Sequence, residues 1–297
     1  MITKNIKKNI LYFFQAQITY AILFLFSLLP INLTSYLGGL IGRIIGPLSK
    51  AHNIAKSNLI IAFPEMSPNE YKKILTEAWD NFGRVMTEYA HLGKLSQKKE
   101  KHRIQIEGLT NFESLSASNT PFIIFFAHLG NWEINGLSSM LTTKTSSIVY
   151  RPPNNHFIAK KLLKIRNLDS ETLIPKGKKG AIKAIKRIKE NGILLMAIDQ
   201  KMNNGLPINF FGKEAMTGDA IARIVLRYRC PILPLRSQRV NGCKFKLTFE
   251  EPWTSENYKN DSVKSILVKI NTTVERWIKD DPKQWLWFHN RWPKIKT

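Results

Sequence analysis

Two short runs, residues 122–127 and 193–198, are apolar along nearly their whole length and read as buried strands. A strand with no wet face must be covered on both sides, so this chain needs helices above and below a sheet. Ser146–Tyr150 reads as a further strand, as do residues 231–237 and Lys244–Phe249. Helical spacing fills the gaps: from about Asn131, over 158–165, over 180–190 with Ile182, Ile185 and Ile188 inward and lysines outward, and over 218–229. Strands alternating with helices specify an α/β fold, a mostly parallel sheet flanked by helices. The 297 residues suffice for one large domain or two modest ones. There is no internal repeat or low-complexity segment.

The N-terminus carries a different signal. Lys4, Lys7 and Lys8 precede a mainly apolar run over residues 10–29, broken only by Gln15, Gln17, Thr19 and Ser27. About twenty helical residues match the hydrocarbon thickness of a bilayer, near 30 Å. A cleaved signal peptide fits less well, because Pro30-Ile31-Asn32 is no small-residue cleavage site. A buried amphipathic helix is the other reading, but the run is apolar on most faces. We expect residues 1–30 to form a hydrophobic membrane-anchor helix and 31–297 the catalytic domain, on the cytoplasmic side. Spanning and lying in one leaflet both remain open. The Gly-rich stretch 33–48 either returns the chain or lies in the interface.

Ser67-Pro68-Asn69-Glu70 starts a helix with a cap, a proline at the first helical position and a capping-box glutamate. Tyr71, Ile74, Leu75, Ala78, Trp79, Phe82, Val85, Met86 and Tyr89 continue it as a packing stripe. Lys98–Arg103 reads as a solvated connection.

In parallel α/β sheets, ligands gather beyond the carboxyl ends of the strands. Three strands here end in reactive or charged residues: His128, Arg151 and Asp199. Glu133 follows His128 by five positions. On one continuous helix that spacing leaves the side chains about 140° apart, so they meet only if a turn separates strand from helix. Leu129-Gly130-Asn131 supplies such a turn, with Gly130 free to take positive φ and Asn131 able to cap. A neutral imidazole accepts a hydroxyl proton near neutral pH, and an adjacent carboxylate fixes its tautomer. No G-x-S-x-G occurs, so the nucleophile is expected to be the substrate's own hydroxyl. The chemistry indicated is direct acyl transfer to an alcohol.

His-Leu-Gly-Asn-Trp-Glu at 128–133 resembles the HxxxxE motif of the lipid A late acyltransferases, the lauroyl and myristoyl transferases of lipopolysaccharide synthesis. Similar blocks follow the family's order: Asn58-Leu59 through Ala62-Phe63-Pro64-Glu65, Tyr150-Arg151-Pro152, Ile198-Asp199-Gln200, Phe210-Phe211-Gly212, and Gln284 to Trp292. The resemblance spans roughly residues 35–293. It implies a glycerolipid-acyltransferase-like fold and transfer from acyl-carrier protein to a hydroxyl of a Kdo-bearing lipid A precursor. The place implied is the cytoplasmic face of the bacterial inner membrane. It makes His128 the general base and Glu133 its partner, with Asn131, Arg151, Asp199, Lys201 and Arg291 as substrate-binding positions. No cofactor or metal is required. Glycerolipid acyltransferases of the same superfamily are the alternative. They carry a Pro-Glu-Gly-Thr-Arg block after the histidine, whereas Phe63-Pro64-Glu65-Met66-Ser67 precedes it and lacks Gly and Arg.

Charge agrees with these partners. Lys and Arg number 45 against 22 acidic residues, a formal +23. Such a chain attracts acidic acyl-carrier protein, a phosphorylated glycolipid precursor and an anionic membrane surface. The basic cluster over 176–189 reads either as a docking surface or as a solvated helix face. Nucleic acid is the rival partner, but no RNP, helix-turn-helix or zinc pattern is present. The two cysteines, Cys230 and Cys243, lack metal or disulfide spacing and read as reduced, and the six histidines show no paired-ligand spacing.

Overall fold

A computed structural model of the chain describes residues 2–95, 97–166, 172–175 and 177–293. The strands are β1 (Ile104–Glu107), β2 (Phe122–Phe126), β3 (Ser146–Tyr150), β4 (Leu173–Pro175), β5 (Ile193–Ala197), β6 (Leu206–Phe210), β7 (Lys213–Thr217), β8 (Ile232–Asn241) and β9 (Lys244–Phe249). The helices are α1 (Ile2–Ser27), α2 (Ile31–Ile45), α3 (Lys50–Ala62), α4 (Pro68–Glu88), α5 (Leu92–Leu95), α6 (Leu109–Ala117), α7 (His156–Arg166), α8 (Lys178–Lys189), α9 (Ala220–Tyr228), α10 (Ser255–Tyr258) and α11 (Val263–Asp280). Seven strands form one sheet in the order β1-β9-β8-β2-β5-β3-β4, and β6 with β7 makes a separate hairpin. Only β8 and β9 run antiparallel within the large sheet.

β2 and β5 sit at its centre, and all five residues of β2 are buried. One face packs Ile123, Phe125, Leu194 and Ile232 against α4, α9 and α11, with Trp277 and Trp285 completely enclosed. The other packs Phe122, Ile124 and Leu195 with Phe112 of α6 and Phe249 of β9. The continuous apolar character of these strands follows from that double cover.

α4 begins as its sequence dictates. The Ser67 amide donates to Glu70 Oε2 at 2.7 Å, Ser67 Oγ accepts the Glu70 amide, and Pro68 fills the first turn. The Gly-rich stretch supplies most of α2, which packs on α4. Gly38, Gly42 and Gly46 recur every fourth residue on one face and lie against Gly83, Thr87 and Trp79 of α4. A methyl group on Gly42 would come 2.1 Å from the Trp79 carbonyl oxygen, so backbone meets backbone there. The opposite face of α2 leaves Leu33, Tyr36, Ile41, Ile44 and Ile45 exposed.

Several expectations are corrected. The segment after Asn131 is a 3₁₀ helix, Trp132–Leu141. Ile182 points outward at 69% exposure, while Ile188 is buried as read. Lys176 of the basic cluster lies outside the described residues. Within that cluster Arg187 turns inward to Ser147 Oγ (2.9 Å) and to Glu190.

Candidate active site

Strand register brings the site together. Phe126 pairs with Ala197 across β2 and β5, so the second residue beyond each, His128 and Asp199, leave the sheet side by side. Asp199 is 1% exposed and its carboxylate accepts three hydrogen bonds. His128 donates to it from its backbone amide (2.8 Å) and from ring Nδ1 (2.7 Å), and Trp285 donates from Nε1 (2.8 Å). Burial opposes ionisation of Asp199, but attraction to His128, those bonds and the neighbouring His289 outweigh it. The carboxyl is therefore held well below the usual carboxylate range.

The C-terminal segment clamps the histidine loop from the other side. Leu286 donates its amide to the His128 carbonyl (3.0 Å), and Gly130 donates to the Gln284 carbonyl (3.1 Å). Gly130 takes φ +55°, and a side chain there would press on Arg239 and Gln284. Thus the Gln284–Trp292 block is the strap that fixes the loop and, through Trp285, the carboxylate.

Glu133 has other partners. Arg166, the last residue of α7, donates Nε to Oε2 and an Nη to Oε1, both at 2.7 Å. The Tyr89 hydroxyl donates to Oε1 as well. Burial works against the charge of Arg166, yet Glu133 raises its pKa above the ordinary value; burial and the same carboxylate raise Tyr89 well above its own. The expectation that Glu133 orients the His128 ring is therefore corrected: the structure gives that ring to Asp199, and both Glu133 oxygens to Arg166 and Tyr89.

His128 and Glu133 nevertheless line one cavity of about 410 Å³. Its apolar wall includes Leu92, Leu137, Met140, Ile148, Leu162 and Ile165. Arg151, exposed at the end of β3, and Gln200, next to Asp199, also line it. The His128 side chain is 16% exposed. Since Asp199 occupies Nδ1, Nε2 is left to meet a substrate.

The remaining sequence candidates are placed elsewhere. Asn131 is 1% exposed, caps the 3₁₀ helix through the Glu133 amide (3.1 Å) and donates Nδ2 to Glu88 (2.8 Å). Arg291 is fully buried over the Phe210 ring and donates to the Met216 carbonyl (3.0 Å) and Thr217 Oγ1 (2.8 Å). Burial pulls its guanidinium down to about 10. It anchors the β6–β7 hairpin and does not face the cavity. Lys201 does not line it either. Sequence reasoning missed Arg166 and Tyr89, and took Asp199 for a substrate contact. Pairing Asp199 with His128 required knowing that β2 and β5 are neighbours, which their order in the chain conceals. Among the described residues no group of three or more His, Cys, Asp or Glu side chains is placed to hold a metal.

The chain matches the family model described as bacterial lipid A biosynthesis acyltransferase over residues 3–294. It is 23% identical over 277 residues to the lipid A biosynthesis palmitoleoyltransferase of Escherichia coli (strain K12), covering 91% of this chain and 88% of that protein. The same figures hold for the lipid A biosynthesis acyltransferase of Shigella flexneri. Among solved structures, the 1-acyl-sn-glycerophosphate acyltransferase PlsC of Thermotoga maritima aligns at 14% identity and a TM-score of 0.41, over 86% of this chain and 100% of that one.

Proposed function

The chain belongs to the bacterial lipid A biosynthesis acyltransferases, and from that premise we infer that it moves a fatty acyl group from acyl-carrier protein to a hydroxyl of a Kdo-bearing lipid A precursor. The work is done at the cytoplasmic face of the inner membrane. The observation that carries the reading is His128, tied through Nδ1 to the buried Asp199 carboxylate and lining an apolar cavity.

In this reading Asp199 accepts from Nδ1–H and so leaves the Nε2 lone pair free. As the acceptor hydroxyl approaches the thioester carbonyl carbon, Nε2 takes its proton and the new C–O bond forms. Collapse of the tetrahedral adduct breaks the C–S bond, and the imidazolium returns the proton to the departing thiolate. Asp199 stabilises the imidazolium through that interval, as the carboxylate of a serine-protease triad does. The apolar wall takes the acyl chain. Arg151 at the mouth offers a guanidinium to the phosphate or carboxylate groups of the acceptor. Glu133 and Arg166 fix the wall formed by α7 against the 3₁₀ helix, a positioning role.

The test is incubation of purified protein with acyl-carrier protein loaded with a radiolabelled acyl group and either a Kdo-bearing lipid A precursor or a lysophospholipid. Label is expected on the glycolipid, and His128→Ala should abolish it. Label on the lysophospholipid alone would transfer the protein to glycerolipid synthesis.

A further inference from the structure

α1 has the length and composition of a membrane span: within Ile6–Ser27, the most apolar 18 residues have a mean hydropathy of 1.6. Its contacts point another way. Around its midpoint it is fastened sideways to the catalytic body. Asn155 donates Nδ2 to the Tyr12 carbonyl (2.8 Å), and the Tyr20 hydroxyl donates to the Phe157 carbonyl (2.6 Å). Phe13 packs edge-on against Phe157 with ring centroids 5.8 Å apart, and the Lys161 ammonium lies 5.6 Å from the Tyr20 ring centroid. Further along, His91 Nε2 lies 3.0 Å from the Phe26 carbonyl oxygen, and Lys94 reaches that of Ser27.

Tyr12 and Tyr20 flank the centre of the apolar stretch, about 12 Å apart along the axis. Were α1 to cross the bilayer, that centre would sit at the midplane and drag the start of α7 into hydrocarbon. His156, Lys160 and Lys161 would go with it, beside the cavity-lining Pro153. Charged groups there are costly. On the far side of α1, Ile10, Phe14, Ile18, Ile22 and Leu25 are exposed, and α2 exposes Leu33, Tyr36, Ile41, Ile44 and Ile45. Of all the described side chains in the apolar stretch, only Ala16 is fully buried.

We propose that α1 does not cross the membrane but lies in a single leaflet of an anionic phospholipid bilayer, with the exposed face of α2 beside it. Lys7 and Lys8 at one end and the lysines of α7 along the flank meet the lipid headgroups. This +23 protein fits an anionic surface rather than a second copy of itself. α7 is then the layer between lipid and acyl cavity: Phe157 faces α1, while Leu162 and Ile165 line the cavity.

The test uses single-cysteine variants of the full chain in native membranes. Cys230 and Cys243 are buried, and burial pushes their thiols up to about 12 and 11, so they stay unlabelled. Lys7→Cys and Pro30→Cys are exposed to a membrane-impermeant maleimide in right-side-out and inverted vesicles. Both positions are expected to label only in inverted vesicles. Labelling from opposite faces would overturn the proposal. In liposomes, a fluorophore on Ile18→Cys should be quenched by nitroxide high on the lipid chain more than by nitroxide near its end. The reverse order would mean a spanning helix, and no quenching by either would mean a protein surface covers that face. Each of those results refutes single-leaflet placement.

Discussion

Glu133 and Arg166 form a two-bond ion pair with side chains 9% and 19% exposed, so the two groups meet each other largely out of water. Removing one partner leaves a poorly solvated charge, which costs about 3 kcal/mol in comparable pairs. Glu133→Gln and Arg166→Met should each destabilise the fold by about that much. The double variant should lose much less than the sum, a coupling that denaturant titration of the four proteins measures. Gly136 offers a second test at this scale. It lines the cavity, and a Cβ there would meet only the Ile148 methyl, at 3.5 Å. Gly136→Met fills that space without a backbone clash. The acyl chain preferred in competition assays should shorten, each excluded methylene weighing about fourfold in kcat/KM.

At the scale of elements, α2 and α4 approach through glycines, and nothing larger fits between them. Gly42→Ala should cost roughly 1–3 kcal/mol by overpacking, visible as a lower denaturation midpoint at unchanged slope. Elements like these also show what a sequence discloses. The α4 cap was readable because Ser67, Pro68 and Glu70 make it by local bonds. β3 and β9 begin and end where their patterns do. The β6–β7 hairpin was not legible as such. Its turn puts Phe211 at φ 52° and Gly212 at φ 71°, and a phenylalanine in that conformation is held by tertiary contacts that no turn signature announces. β1 and β4, at four and three residues, are too short to show a period, and each is fixed by its sheet neighbour.

At the scale of the molecule, a +23 chain should find an acidic carrier protein through its field as well as its contacts. Raising ionic strength from about 0.01 to 0.15 M shrinks the screening length from roughly 30 to 8 Å. kcat/KM for acyl-carrier protein should then fall at least tenfold, with kcat nearly constant, and steady-state assays across that series would register it. Composition made this charge and the apolar N-terminal helix legible. The partnership inside the site was not, because it depends on strand order. His128 and Asp199 are 71 residues apart and meet only because β5 returns beside β2. Proximity in the chain favoured Glu133 instead, which the fold commits to α7.

The account rests on Asp199, rather than Glu133, holding the His128 ring. The direct measurement is ¹⁵N NMR of the His128 imidazole in the full-length protein, recorded beside acyl-transfer kcat for Asp199→Asn and Glu133→Gln. The account predicts that Asp199→Asn loses the Nδ1–H tautomer and about 10³-fold or more in kcat, as removal of a triad carboxylate's charge does elsewhere. Glu133→Gln should keep the tautomer. A wild-type tautomer and full kcat in Asp199→Asn, with the tautomer lost in Glu133→Gln, would contradict it.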